Sequence, residues 1–217
     1  MSSETGQVVT VHASHLHKAL RAVTLSMSKD STRPHINGAL FEQHGGGLAI
    51  VCTDGRRLSR YIVECEGSHD PFMLSAESIK GVMRDLSGEL SGDAAQPFTF
   101  TKRKLRITTK IGSVSRFHSE VQETFPPWAK VLPPLEKCRR VPFAMLNPEY
   151  VKQAAAAAKI LAPKDAMVFM CAESDVGAVQ VACGDTGWRM AIMPMRGNRF
   201  ERDVEDAMVF GLKGGEK

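Results

Sequence analysis

The sequence predicts an α+β fold built from repeated units, each a strand, an amphipathic helix and three more strands. Three observations carry this. Helical periodicity appears three times, each time after a short extended segment and a capping residue. Each helix is followed by runs of β-prone residues separated by turn chemistry. The units recur every 60 to 70 residues, a spacing expected of an internal repeat.

In the first unit, Gln7 to His12 alternates weakly, and Ser14 is a candidate N-cap. Leu16, Ala19, Leu20, Val23 and Met27 then fall at helical spacing. Ile36 to Gln43, Leu48 to Cys52 and Leu58 to Cys65 read as strands, joined by Gly45-Gly46-Gly47 and Asp54-Gly55. In the second unit, Pro71 to Leu74 is extended and Ser75 caps a helix with Ile79, Val82, Met83 and Leu86 on one face. Strands are expected near Pro97–Thr101, Leu105–Thr109 and Ser113–Ser119. In the third, Arg139 to Leu146 is extended and Asn147-Pro148 pairs an N-cap with proline at the first helical position. Tyr150, Val151, Ala154, Ala155, Ala158 and Leu161 form its apolar stripe, and strands follow near Ala166–Ala172, Val176–Cys183 and Trp188–Met193.

The chain has 217 residues, near one and a half domains at about 150 residues each. Hydrophobic residues are 43% and charged residues 24%, enough for a core, and wholesale disorder is excluded. No apolar run approaches the ~20 residues that cross a bilayer, and the start resembles no signal peptide, so a cytoplasmic protein without membrane partners is expected. Five cysteines without a C-x-x-C pair point to reduced thiols rather than disulfides or a zinc ribbon.

The net charge of +4 is modest, and the basic excess lies within residues 71–140. Opposite each apolar stripe lies a basic pair: Lys18 and Arg21, Lys80 and Arg84, Lys152 and Lys159, each spaced to share one helical face. On any single helix such a pair reads first as a solvated face. Its recurrence at one position in every unit favours a shared role. The run Thr101 to Arg106 is a basic hairpin tip, suited to phosphate or to discouraging edge pairing.

Catalytic chemistry is not indicated. The sequence carries no phosphate-binding glycine loop and no nucleophile elbow. His15 and His17, two apart at a helix start, point to different sides and make a poor metal pair. A binding protein with no cofactor, metal or catalytic residues is expected.

Five segments then appear in order: Arg33-Pro34 with Asn37-Gly38, Thr53-Asp54-Gly55-Arg56-Arg57-Leu58, Phe125-Pro126 through Lys130-Val131-Leu132-Pro133, Leu146 to Tyr150, and Met193-Pro194-Met195-Arg196. Together they resemble the bacterial DNA polymerase III beta subunit, the sliding-clamp family. The resemblance implies a DNA-clamp fold, helices lining a channel and sheets at the rim. It gives Lys18, Arg21, Lys80, Arg84, Lys152 and Lys159 a purpose as residues facing duplex DNA without reading its sequence.

It also implies a groove for clamp-binding peptides of polymerases and related proteins, which carry Gln and Leu/Phe anchors. Carried over by position, the groove takes Ile36, Thr53, Gly55, Arg56, Arg57 and Leu58 from the first unit. Pro126, Lys130 and Val131 come from the linker, and Asn147, Tyr150, Val176, Ala178, Ile192, Met193, Pro194, Met195 and Arg196 from the third unit. Asn147 also serves as a helix cap, and Met193 to Arg196 also reads as a strand end with proline at a sheet edge.

Residues 1–133 resemble the middle domain of the family and 134–197 the second half of its last domain, with 198–217 as a tail. Three units leave one half-domain without its counterpart, so a homo-oligomer is expected, up to a tetrameric ring of twelve units. The competing reading is a peptide-binding adaptor or decoy that forms no ring, of the kind a mobile element would encode.

Overall fold

The computed structural model describes residues 9–67, 70–89, 97–101, 104–109, 112–117, 121, 123–140, 145–172, 177–184 and 186–195. Three units follow one another. The first is β1 (Val9–His12), α1 (Ala13–Val23), β2 (Gly38–His44), β3 (Gly47–Thr53) and β4 (Arg57–Gly67). The second is β5 (Phe72–Ser75), α2 (Ala76–Glu89), β6 (Pro97–Thr101), β7 (Lys104–Thr109) and β8 (Gly112–Phe117). The third is β9 (Cys138–Arg140), α3 (Pro148–Leu161), β10 (Met167–Ala172), β11 (Val179–Cys183) and β12 (Trp188–Ile192). The α+β class and the repeat are as the sequence predicts.

Local chemistry explains most boundaries. Gly45 and Gly46 turn β2 into β3 at φ +58° and +81°, values that side chains with a Cβ resist. Ser75 Oγ accepts the Ser78 N–H at 3.2 Å and starts α2. Asn147 Oδ1 accepts the Glu149 N–H at 2.9 Å and Pro148 follows, so α3 begins where expected. Ser14, by contrast, lies inside the first turn of α1, its hydroxyl 2.7 Å from His12 Nδ1, and no side chain caps that helix. On α3 the buried alanines are Ala154, Ala157 and Ala158, whereas Ala155 is exposed, because a run of alanines does not fix the helix phase.

The first two units exchange strands. β5 of the second pairs with β2 of the first, and β1 of the first pairs with β6 of the second. The third unit joins through β12, antiparallel to the N-terminal half of β4 from Trp188↔Tyr61 to Ile192↔Arg57. β4 therefore serves two neighbours along one edge, β12 at its start and β1 at its end, with β3 along the other. This long strand ties the units together. The third unit differs from the first two in one respect. Its β10 pairs with its own β9, from Met170↔Arg140 to Ala172↔Cys138, so the C-terminal half of that strand takes a neighbour from within the unit.

Two apolar cores lie on opposite faces. On the inner face, Leu16, Leu20, Ile79, Leu86, Ala154 and Ala157 of the three helices pack on Phe41, Ile50, Trp188 and Ile192. At about 25 cal/mol per Å2 of apolar surface, each fully buried Leu or Ile contributes about 2 kcal/mol. α1 lies between α2 and α3, so the helices form one layer. On the outer face, Phe125, Trp128 and Leu132 of the linker cover Leu40, Val51, Leu58, Met73, Ala178 and Ala191. Pro133 O accepts from Gln180 Nε2 at 3.4 Å and Arg189 Nη1 at 3.3 Å, which fastens the linker to the third unit.

Candidate functional site: a cleft at the seam of the first and third units

The seam between β4 and β12 places the β3–β4 turn of the first unit beside α3 of the third. Thr53 Oγ1 donates to Arg57 O at 2.7 Å and accepts the Gly55 N–H at 3.1 Å, closing the turn from inside. Asp54 Oδ1 accepts the N–H groups of Arg56 and Arg57 at 2.9 and 3.1 Å. Gly55 sits at φ +88°. The segment is therefore a rigid loop that aims Arg56 outward and Arg57 across the seam.

Arg57 is nearly buried and joins both units. Its guanidinium forms an ion pair with Asp54 at 3.1 Å, bonds Gln153 of α3 and lies 4.3 Å from the centre of the Tyr150 ring. Around it opens a cleft of about 590 Å3, lined by Met27, Lys29, Asp30, Arg33, Arg56 and Tyr150, among others. Asp30 pairs with Arg33 at 2.9 Å. The Thr32 hydroxyl and N–H, then Arg33, hold its carboxyl below the usual range. At the base of α3, the Gln153 amide and then Lys152 lower Glu149 likewise. Lys29 and Arg56 are exposed and make no side-chain ion pair among the described residues.

The structure distributes the expected groove residues among several environments. Gly55, Arg56, Arg57 and Tyr150 line the cleft. Met193 and Met195 are 46% and 54% exposed, and the Met193 N–H donates to Arg56 O at 2.9 Å, so the end of β12 leaves at the cleft rim. Pro194 is half-buried between them. Ile36, Thr53, Leu58, Ala178 and Ile192 are buried supports beneath the surface, and Asn147 is the α3 cap. Pro126 and Lys130 line a second cavity of about 580 Å3 on the outer face, beside Trp128 and Glu42, and Val131 is 37% exposed. Val176 and Arg196 lie outside the described residues, as do Lys102 and Arg103 of the basic run.

Sequence reasoning did not assign Met27, Lys29, Asp30, Arg33 and Gln153 to this site. The signal for Arg33 was present, since it opens the turn whose carbonyl accepts the Ile36 and Asn37 N–H groups.

Lys18, Arg21, Lys80, Arg84, Lys152 and Lys159 are all exposed on the single helix layer. Lys152 lies 3.7 Å from Glu149, and the six cations stand over three adjacent helices. Among the described residues, no group of three or more His, Cys, Asp and Glu side chains is placed to hold a metal ion. No helix among them is long and apolar enough to cross a membrane.

A model of the DNA polymerase III beta subunit, central domain, matches residues 10–110. A sequence search of curated proteins found no match. Among solved structures, the DNA polymerase III beta subunit of Thermotoga maritima superposes with a TM-score of 0.61 at 17% identity, covering 91% of this chain and 67% of that one. The sliding clamp of Bartonella birtlesii, solved bound to griselimycin, gives 0.63 at 17%, covering 91% and 69%. The beta subunit of Pseudomonas aeruginosa gives 0.62 at 16%, covering 90% and 68%. The chain thus spans about two thirds of these clamps. It has the sliding-clamp fold, and over residues 10–110 it resembles the central domain of the DNA polymerase III beta subunit.

Proposed function

We propose that this chain is a reduced sliding clamp, a non-enzymatic DNA replication and repair accessory protein. It docks linear peptides of polymerases and related factors in the seam cleft and holds duplex DNA against its helix layer as a homo-oligomer. The observation that carries this is the cleft itself, where Arg56 and Arg57 of one unit and Tyr150 of another converge on one concave surface. A concave site with an aromatic wall, flexible methionines at its rim and a few fixed polar groups suits a peptide whose apolar anchors must be oriented. Met193, Pro194 and Met195 would extend the groove along the departing strand. Ile36, Thr53, Leu58, Ala178, Ile192 and Asn147 would hold its walls in place.

The helix layer supports the DNA half of the proposal. Six exposed cations spread over three helices present phosphate contacts with no base-reading geometry, which favours sliding over sequence recognition. Retention on circular DNA that is lost on linearisation tests encirclement. Replacing one of these cations should lower the slope of log K against log salt by about 1. For the peptide site, a Gln-Leu-x-Leu-Phe peptide is titrated against wild type, Tyr150→Ala and Met193→Ala. Unchanged affinity in both variants would remove the site.

The pairing of β10 with β9 of its own chain favours a second reading, an adaptor or decoy that binds the same peptides without forming a ring. Light scattering at micromolar concentration separates the two. A monomer that still binds the peptide selects the adaptor.

A further inference from the structure

The cleft is unbalanced in charge, and a complementary segment lies in the same chain. Its lining holds Lys29, Arg33, Arg56 and Arg57 against Asp30 and Asp54. Arg33 and Arg57 are each matched by one carboxylate, which leaves Lys29 and Arg56 exposed at the opening. β12 leaves at that opening, with Met193 bonded to Arg56 and the Met195 N–H donating to Met145 O at 2.8 Å. The sequence then continues for another twenty-two residues, 196–217.

Within them, residues 203–212 carry Asp203, Glu205 and Asp206 with no basic residue, followed by Met208, Phe210 and Leu212. The last three alternate, so in an extended chain they share one side while the acidic cluster precedes them. Met208 lies thirteen residue steps beyond Met195, an extended reach of about 40 Å, ample for a return to a cleft whose rim Met193 touches. Acidic groups opposite Lys29 and Arg56 and apolar anchors against Met27 and Tyr150 match the two chemistries of the lining.

We propose that residues 203–212 dock into the chain's own cleft and act as a tethered competitor of incoming peptides. The proposal rests on the reading of the cleft as a peptide site and adds its regulation. A partner peptide must then displace the tail, so only partners with stronger anchors or high local concentration load onto the protein.

The test uses the full chain, wild type and Met208→Ser/Phe210→Ser, with a fluorescent synthetic peptide of residues 203–212 as probe. An effective concentration of about 1 mM for a tether of this length, set against an intrinsic Kd of about 0.1 mM, weakens probe binding to wild type about tenfold relative to the variant. A second variant, Asp203→Asn/Glu205→Gln/Asp206→Asn, should release the cleft in the same direction at low salt. Tyr150→Ala in the Met208→Ser/Phe210→Ser background should abolish probe binding, and retained binding there overturns the placement.

Failure of the probe to bind the released variant, or equal affinity for both chains, overturns the proposal. A Gln-Leu-x-Leu-Phe peptide on that same variant then separates the two levels. If it binds, the cleft remains a peptide site without a tethered tail, and if it does not, both readings fall. A dimer in light scattering that disappears in the variant would place the tail in a second copy and overturn the tethered form.

Discussion

Replacing Arg57 tests whether one side chain joins the two units and shapes the cleft. The guanidinium is 8% exposed and has three partners: Asp54 at 3.1 Å, Gln153, and the Tyr150 ring at 4.3 Å. Breaking a fully buried ion pair costs about 3–5 kcal/mol because the abandoned charge stays unpaired. Here Asp54 is 20% exposed and keeps two backbone N–H donors, so its penalty is smaller. Adding about 1 kcal/mol for the lost cation–π contact, Arg57→Ala should cost about 2–3 kcal/mol. For a chain of this size that lowers Tm by about 5–10 °C, at roughly 2–4 °C per kcal/mol. Arg57→Lys keeps the charge but not the planar fork, and should lose about 1 kcal/mol through Tyr150 and Gln153. Urea unfolding of Arg57→Lys, Tyr150→Leu and the double variant measures the coupling, with peptide affinity read in parallel. The reasoning fails if Arg57→Lys behaves as wild type in both assays, or if the two substitutions are strictly additive.

Other consequences concern the seam and the core. Trp188 is fully buried and its indole N–H donates to Ser59 Oγ across the seam at 2.8 Å. Trp188→Phe and Ser59→Ala should each cost at least ~1 kcal/mol, and the double variant less than their sum, as urea midpoints will report. A Cβ on Gly187 would meet Ile62 O at 2.6 Å, so Gly187→Ala should destabilise by about 1–3 kcal/mol and loosen the β4–β12 ladder in hydrogen exchange. Burial pushes the Cys52 thiol far above the usual range, and it should resist iodoacetamide until the chain unfolds. Labelling at the rate of a free thiol in native buffer would place Cys52 outside the core.

What the sequence made legible follows from which signals are local. Asn147-Pro148 and Ser75 cap their helices through contacts two or three residues away, and both starts are as expected. Thr53-Asp54-Gly55 encodes its own turn in the same way. Long-range pairing is another matter. Nothing in Arg57 to Gly67 announces that one edge of this strand serves both β12 and β1, because register is set by partners distant in the chain. The cleft shows the same division. Gly55, Arg56, Arg57 and Tyr150 belong to recognisable segments. Gln153 reaches Arg57 only because the seam brings α3 to the turn, and Lys29 and Asp30 sit in a connection that carries no periodicity.

The third unit shows how an odd repeat is made self-sufficient. In the first pair of units, each first post-helix strand takes its neighbour from the other unit: β2 takes β5 and β6 takes β1. By that rule β10 would need a strand from a fourth unit. It takes β9 instead, a three-residue strand ahead of its own helix, from Met170↔Arg140 to Ala172↔Cys138. Three pairs are a weak ladder compared with the seven that join β3 to β4, so the self-closed edge is the least secured pairing of the third unit. Among the described residues β9 shields only Met170 to Ala172 of the β10 edge, a partial protection of the kind short edge strands provide. The same weakness makes β9 the strand most readily exchanged between two copies, each supplying β9 to the other's β10 as the first two units already exchange β5 and β1. A dimer formed by that exchange would differ from the monomer at the third unit by the ownership of one short strand. Assembly should respond to concentration without any change in the seam that holds the cleft.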